Sequence, residues 1–266
     1  MTIIIDPITV QPIANGVIRV NPIIVGNQLF VRSTLAQSAT TDPSAFDPLL
    51  WLKADAITGL SDSDPVALWS DSGNDGNNAT QAVVANKPIY KTNIVNGKPA
   101  ILFGGATGAT ISYLNLSGVS MGSAFTVLLV AKILGFPETL LYGEFIVDAE
   151  NNYGITTGKA PSAPIYGISS PFTYCVGGEA VADTWQIIEF DMTHTYVNGV
   201  DVTIEHGGTV DFTGTPIVTI GSDSPHVRSP YILVPEIIIF GSALSDSNRL
   251  SIEQHLATKY ALTLGV

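Results

Sequence analysis

The sequence has little of what several classes of protein need. Its 266 residues contain one cysteine, Cys175, and 11 lysines and arginines against 23 aspartates and glutamates, for a formal charge of −12. A single cysteine cannot form an internal disulfide, so Cys175 is predicted to be a small buried hydrophobic residue. No segment concentrates lysine and arginine, which argues against nucleic acid and anionic membrane surfaces as partners.

The sequence also leads us to expect neither a secretory leader nor a membrane span. Residues 1–7 have no basic start, long apolar core or small-residue cleavage site. No apolar run approaches the ~18 residues of a spanning helix. We therefore expect cytoplasmic synthesis without a signal peptide and no membrane insertion. A protein of this kind that works outside the cell would leave by another route, such as lysis.

What the chain does have is typical of β-structure. Hydrophobic residues make up 45% of it and charged residues 13%, with 25 glycines and 16 prolines, which favours many strands joined by tight turns. Apolar runs at 125–130 and 185–190 predict core strands, and Asn198-Gly199 predicts a two-residue hairpin. One helix is expected near the end, capped by Ser245. Its apolar stripe would consist of Ile252, Leu256 and Tyr260.

Residues 1–45 differ from the rest of the chain. They carry four charges and short isoleucine and valine runs interrupted by Pro7, Pro12 and Pro22. Proline removes a ladder donor, so these runs suit edge or extended strands. An arm as apolar as this is expected to pack against another protein surface. Two interpretations remain open, that it adds strands to its own sandwich, or that it docks on a protein partner or on like subunits.

Six spaced segments of the remaining chain belong together. They are 50–54, 69–74, 96–100, 196–199, 237–245 and 252–260. In this order they resemble the concanavalin A-like lectin/glucanase superfamily, and within it the laminin-G-like jelly-roll domain. The resemblance implies an all-β, two-sheet antiparallel sandwich over 46–266 with one short C-terminal helix, preceded by an extended N-terminal arm. The chain departs from the family where Leu233-Val234-Pro235 precedes Glu236, which predicts a reshaped turn.

The resemblance implies little about activity. Family members bind glycans or proteins, some are structural, and similar domains occur in phage virion proteins. They share no catalytic residue set that could be carried over. We therefore expect a non-enzymatic structural or adhesive module on a virion surface, as a capsid decoration or a tail or fibre protein, held by residues 1–45. The alternative is a carbohydrate-binding lectin domain, and a glycoside hydrolase is less favoured.

Two neighbouring segments concentrate oxygen ligands. Loop residues Asp71, Asn74, Asp75 and Asn77, together with Tyr153, are predicted to bind a ligand such as a glycan. Laminin-G-like domains sometimes hold calcium at a sandwich rim, which would use Asp62, Asp64, Asp71 and Asp75 here. Asx turns explain the same residues without a metal, and we expect no other cofactor.

Catalytic patterns are weak. The G-x-S-x-G match at 118–122 lacks the following helix that a nucleophile elbow needs. Glu144, Asp148 and Glu150 share parity along one predicted strand, whereas retaining hydrolysis needs two carboxyl groups ~5 Å apart. They are better explained as solvated carboxylates near a turn.

The aromatic residues divide into two groups. The three tryptophans, Trp51, Trp69 and Trp185, lie in apolar contexts and are predicted to be core residues. Three tyrosines, Tyr153, Tyr166 and Tyr174, are the candidates for sugar stacking.

Overall fold

The computed structural model describes residues 19–25, 28–34, 40–105, 110–135, 144–149, 153–159, 164–170, 173–223 and 226–265. The chain divides into two compact units, Met1–Thr40 and Thr41–Val266. In the first unit, strands β1 (Arg19–Val25) and β2 (Gln28–Thr34) pair antiparallel. The arm therefore contains a hairpin of its own.

The second unit begins before residue 46. The segment 41–46 belongs to it and contains a 3₁₀ turn, Pro43–Phe46. Phe46 packs edge-on against Phe240 with ring centroids 6.5 Å apart. The predicted boundary after residue 45 falls inside this segment.

The remaining strands follow in chain order. They are β3 (Leu50–Lys53), β4 (Leu68–Trp69), β5 (Ala79–Thr80), β6 (Ile89–Val95), β7 (Lys98–Phe103), β8 (Leu114–Val119), β9 (Thr126–Gly135), β10 (Glu144–Ala149), β11 (Tyr153–Lys159), β12 (Pro164–Ser170), β13 (Thr173–Glu179), β14 (Trp185–Phe190), β15 (Thr195–Val197), β16 (Val200–Asp201), β17 (Thr203–His206), β18 (Ile217–Ile220) and β19 (Tyr231–Phe240). Helix α1 is Asp246–Tyr260.

These strands form two antiparallel sheets. Counting described residues, the larger sheet has nine strands in the order β17-β13-β12-β11-β10-β18-β8-β5-β4, and the other has eight, ordered β16-β15-β14-β9-β19-β7-β6 with β3 paired to β19. The predicted all-β sandwich with a C-terminal helix is confirmed. Among the described residues, no helix has the length and apolarity to cross a bilayer.

The centre of the eight-stranded sheet is buried on both faces, as β9 shows. Along β9, Val127 and Leu129 join the core between the sheets, while Leu128 and Val130 join a second core under α1. Because side chains alternate along a strand, an uninterrupted apolar run is what a strand covered on both faces requires. This burial on both faces explains the apolar runs at 125–130 and 185–190, from which core strands are predicted.

The C-terminal helix is as predicted. Ser245 Oγ accepts from the Asn248 N–H (3.4 Å) at its start, and Ile252, Leu256 and Tyr260 are buried against the sheet. The predicted hairpin at Asn198 is also present, with Val197 paired to Val200.

The reshaped turn predicted before Glu236 is absent: residues 233–236 lie inside β19, and the departure at Pro235 is a β-bulge. The register of β19 against β9 shifts between Leu233 and Glu236. A bulge is a position where a strand tolerates proline, since the ladder is already interrupted there.

Candidate functional site

The loop 70–78 carries four residues predicted to bind a ligand, and the structure uses them to shape the loop. Asp71 Oδ1 accepts hydrogen bonds from the backbone N–H groups of Trp51 (2.8 Å) and Gly73 (2.9 Å), and Oδ2 accepts from that of Asn77 (2.9 Å). An aspartate bound in this way by nearby backbone donors builds a turn. The Asx-turn interpretation fits this geometry.

On the same loop, Asn74 Nδ2 donates to Asp47 Oδ1 (2.9 Å), and Asp75 is exposed.

The fifth residue predicted to bind the ligand, Tyr153, lies elsewhere in the fold. Tyr153 begins β11, which is separated from β5 by β10, β18 and β8. At ~4.8 Å per strand this is about 19 Å, so Tyr153 does not join the other four. Its side chain lies outside the described residues.

The calcium prediction named Asp62, Asp64, Asp71 and Asp75. Asp62 Oδ2 accepts from Lys91 Nζ (2.8 Å) and its Oδ1 from the Thr92 N–H (2.9 Å), and the Lys91 ammonium holds the pKa of Asp62 well below its ordinary value. Asp64 Oδ2 accepts from the Ser61 N–H (2.7 Å). Within the described ranges, no three His, Cys, Asp or Glu side chains gather in a group suited to a metal. The four aspartates therefore do not converge.

The aromatic candidates are distributed differently from the prediction. Tyr166 is not an exposed loop residue: it lies on β12, is 1% exposed and donates through its hydroxyl to Gln186 Oε1 (2.7 Å), and burial raises its pKa. The stacking role predicted for it is excluded because its ring is inside the core. Tyr174 is 39% exposed on β13. Trp51 and Trp69 are core residues, as predicted, and Cys175 is buried.

A bulge breaks the predicted parity of the β10 carboxylates. Glu144 pairs with Thr157 and Asp148 with Gly154, with a register shift between Phe145 and Val147. The extra residue moves the two acidic positions opposite β11 positions of different parity. The regular alternation that would place a catalytic pair on one face is therefore interrupted. Asp148 is 0% exposed, so the prediction that it is a solvated carboxylate is wrong.

One end of the sandwich collects exposed apolar side chains. We call it the valine end, formed by the described residues 81–88, 104–105, 110–113, 180–184, 221–223 and 226–230. Its exposed large apolar residues are Val83, Val84, Val181 and Val227. The strand order places these segments at the same end of the sandwich, because β8 begins there and β5, β13 and β18 end there.

A buried carboxylate holds one valine-end loop in shape. Asp223 Oδ1 accepts from the N–H groups of Val227 (2.7 Å) and Arg228 (2.9 Å), and Oδ2 accepts from Arg228 Nε (2.7 Å). His226, at φ 55°, stacks on Tyr113 with ring centroids 3.8 Å apart. These contacts fix the backbone at Val227, whose side chain is exposed.

Beside the valine end, where edges of the two sheets meet, lies a groove of about 450 Å³ that we call the edge groove. Its apolar lining is Val181, Val197, Val200, Val202 and Leu264, and its polar side chains are Glu179, Gln186, Asn198 and Thr263. Its volume is within the ~300–1,000 Å³ typical of small-molecule sites.

Buried hydrogen bonds fix the floor of the edge groove. Gln186 is 5% exposed; its Oε1 accepts from the Tyr166 hydroxyl, and its Nε2 donates to the Glu179 carbonyl (3.2 Å). Asn198 Oδ1 accepts from the Ile187 N–H (2.8 Å), and the Asn198 carbonyl accepts from the Gly265 N–H (2.8 Å). These bonds tie the hairpin and the C-terminal residues to the sheet, so the groove is preformed.

A buried group of charges lies behind the groove wall. Glu189 on β14 and Glu253 on α1 are both 0% exposed, and Arg249 Nη1 lies 3.1 Å from Glu253 and 3.7 Å from Glu189. Arg249 also stacks over Tyr196 at 4.0 Å. Burial, together with the neighbouring Glu253 charge, raises the pKa of Glu189 well above its ordinary value. We call Glu189 and Glu253 the buried acid pair.

Sequence reasoning missed the edge groove because it joins three distant segments. The one usable signal was Asn198-Gly199, which predicted the hairpin but not its neighbour across the sandwich. Glu179 and Thr263 have no distinguishing sequence context.

Comparison with solved structures gives the fold. The binding domain of paraclostridial mosquitocidal protein 1 is similar over 82% of this chain and 53% of its own, at 12% identity and a TM-score of 0.54. The botulinum neurotoxin serotype D binding domain matches over 81% and 53%, at 13% identity and a TM-score of 0.51. The binding domain of botulinum neurotoxin DC, solved in complex with SialylT, matches over 79% and 52%, at 15% identity and a TM-score of 0.51.

These likenesses show a shared β-sandwich. At such identities they show the fold alone, and the chain spans about half the length of the solved domains that it matches. No protein-family model matches the sequence, and no curated protein matches it.

Proposed function

We propose that this protein is a non-enzymatic carbohydrate-binding module and that the edge groove holds the sugar. The observation that carries the proposal is the lining of the groove, in which aliphatic side chains alternate with Glu179, Asn198 and Thr263. Sugars present apolar C–H faces and hydroxyl groups together. A site for them needs apolar walls and a few placed polar groups.

The fold supports this proposal indirectly. The similar solved domains are binding domains of toxins, and one of them was solved with SialylT bound. A two-sheet sandwich supplies a rigid frame for loops and edges that bind ligands. Function must still be argued from the site, since one fold hosts many functions.

The lining argues against glycoside hydrolysis at this groove. Acid and nucleophile, or acid and base, require two carboxyl groups across the scissile bond. Among the described residues that line the edge groove, Glu179 supplies one carboxylate and no second aspartate or glutamate is present. We therefore propose binding without turnover.

A glycan array tests the proposed function. The array should carry uncharged, sialylated and sulfated glycans, and be probed with and without a chelator. We expect the protein to bind a subset of glycans, to keep binding in the chelator, and to leave their masses unchanged. A silent array would refute the carbohydrate proposal, shortened glycans would refute the non-enzymatic part, and loss in chelator would restore the calcium alternative.

We further propose that residues 1–40 attach the sandwich to a larger assembly such as a virion or cell surface. Their separation as a unit and the scarcity of charge in the first 45 residues support this role. A chain starting at Thr41 should bind the same glycans on the array yet lose its assembly partner or change its particle size. An unchanged partner and size would reject the anchoring role.

A further inference from the structure

We propose that the edge groove selects uncharged sugars and rejects acidic ones, and that Glu179 makes the selection. The inference rests on the proposed carbohydrate function and adds a ligand class to it. The groove combines one exposed carboxylate with amide and hydroxyl groups, and no lysine, arginine or histidine is among its described lining residues.

Glu179 is positioned to act as a charged acceptor. It ends β13, and its backbone is fixed by pairing with Ile165 and by the hydrogen bond from Gln186 Nε2 to its carbonyl. In the described part of the chain its carboxylate takes part in no ion pair. A carboxylate left without a cation can accept from sugar hydroxyls, and such charge-assisted bonds are the stronger kind.

The same carboxylate opposes acidic ligands. A sialic acid carboxylate or a sulfate placed in the groove would face the Glu179 charge without a compensating cation, and the chain as a whole carries a charge of −12. Like-charge juxtaposition is a common way of rejecting a wrong ligand. Acidic glycans should therefore bind about tenfold more weakly than uncharged glycans of the same size, a difference of about 1.4 kcal/mol.

The groove walls match a neutral ring. Val197 and Val200 flank the hairpin turn, and Val202 follows on the same side, so the apolar face of a pyranose would contact aliphatic carbon. Thr263 brings a hydroxyl from the segment that follows α1. An uncharged sugar can contact the aliphatic side chains through its ring face and the Thr263 hydroxyl through its own hydroxyl groups. Neither contact requires a cation in the groove.

The test compares full-length wild-type protein with three variants on matched uncharged, sialylated and sulfated glycans. Glu179→Gln keeps the size of the side chain but removes its charge, and Thr263→Val removes one hydroxyl. Glu205→Gln is the matched control, since Glu205 is an exposed glutamate on β17, outside the groove lining. Its Oε1 accepts from the Tyr174 hydroxyl (2.6 Å), and the amide oxygen of glutamine can accept the same bond. Circular dichroism and melting temperature verify that each variant is folded.

We expect Glu179→Gln to weaken binding of uncharged glycans about tenfold and to bring acidic glycans to near equality with them, Thr263→Val to weaken binding about threefold, and Glu205→Gln to leave it unchanged. Wild-type preference for sialylated or sulfated glycans would overturn the inference. So would uncharged-glycan binding that Glu179→Gln does not alter, although carbohydrate binding itself would then stand. A silent array would instead remove the proposed function, and this inference with it.

Discussion

Glu189→Gln is expected to make the protein more stable than wild type, and increasingly so as the pH rises. Wild-type folding places two carboxyl groups, Glu189 and Glu253, beside one guanidinium, Arg249, in a site with 0% exposure of both acids. Two negative charges and one positive charge leave an unbalanced buried charge unless a proton is bound.

The sign follows from the pKa shift. The pKa of Glu189 is raised first by burial and second by the Glu253 charge, while Arg249 lowers it. The pKa of Glu253 is also raised, mainly by burial. A glutamate in the unfolded chain ionises near 4.5. Above that pH the folded state holds more protons than the unfolded state, so this contribution to stability is lost as pH rises through the folded pKa.

Other titratable groups lie near the buried acid pair or its arginine. Asp191 after β14 acts on Glu189, Tyr196 on β15 stacks under Arg249, and Asp246 Oδ1 on α1 lies 3.8 Å from Arg249 Nε. The Gly199 N–H also stabilises the Glu253 carboxylate. These groups are unchanged in Glu189→Gln. Because Glu189 and Glu253 interact and share Arg249, the difference between the two proteins reports the proton held by the buried acid pair.

Urea unfolding at several pH values measures the effect. The stability difference should be small near pH 4.5 and should grow in favour of Glu189→Gln by up to about 1.4 kcal/mol per pH unit until Glu189 ionises in the folded state. Glu205→Gln is the surface control, because the same exchange at an exposed position leaves the buried acid pair intact. A pH-independent difference, or a variant less stable throughout, would contradict the assignment of a bound proton.

Glu236→Ala is expected to have the opposite effect and to lower the free energy of unfolding by about 3–5 kcal/mol. Glu236 is 1% exposed, and its carboxylate accepts from Trp51 Nε1 (2.6 Å), Lys259 Nζ (2.7 Å) and the Tyr260 hydroxyl (2.7 Å). Truncation leaves two buried donors, Trp51 Nε1 and the Tyr260 hydroxyl, without this acceptor, while Lys259 keeps its ion pair with Asp55 (3.2 Å). The cost of such orphaned groups exceeds the value of the bonds themselves.

Thermal and urea unfolding should both report this loss. A domain of this size shifts by roughly 2–4 °C per kcal/mol, so a fall in melting temperature of about 10 °C is expected. Glu236→Gln should lose less, because the amide oxygen still accepts one or two bonds. A loss below about 1 kcal/mol for the alanine variant would show that α1 does not depend on this carboxylate.

Glu189 and Glu236 show which features can be predicted from sequence patterns and which cannot. Runs such as 125–130 and the stripe of Ile252, Leu256 and Tyr260 predict strands and helix because burial is periodic along the chain. Glu189 and Glu236 interrupt apolar strands. A periodic pattern cannot tell that Glu236 accepts from Lys259, whereas Glu189 shares Arg249 with Glu253. That depends on which residues of α1 pack above them.

The same limit applied to the candidate site. The Asp71 segment was recognised as an oxygen-rich loop, but its backbone donors come partly from β3, a distant segment. The edge groove is built from the end of β13, the β15–β16 hairpin and residues 263–265. No local spacing rule connects these three parts.

Hydrogen–deuterium exchange with and without the strongest array ligand is the most direct test of the central claim that the sandwich binds sugar at the edge groove. The account predicts slower exchange in peptides covering 176–186, 196–203 and 262–265, with loop 70–78 unaffected. Slower exchange confined to loop 70–78, or none around the groove at saturating ligand, would contradict it.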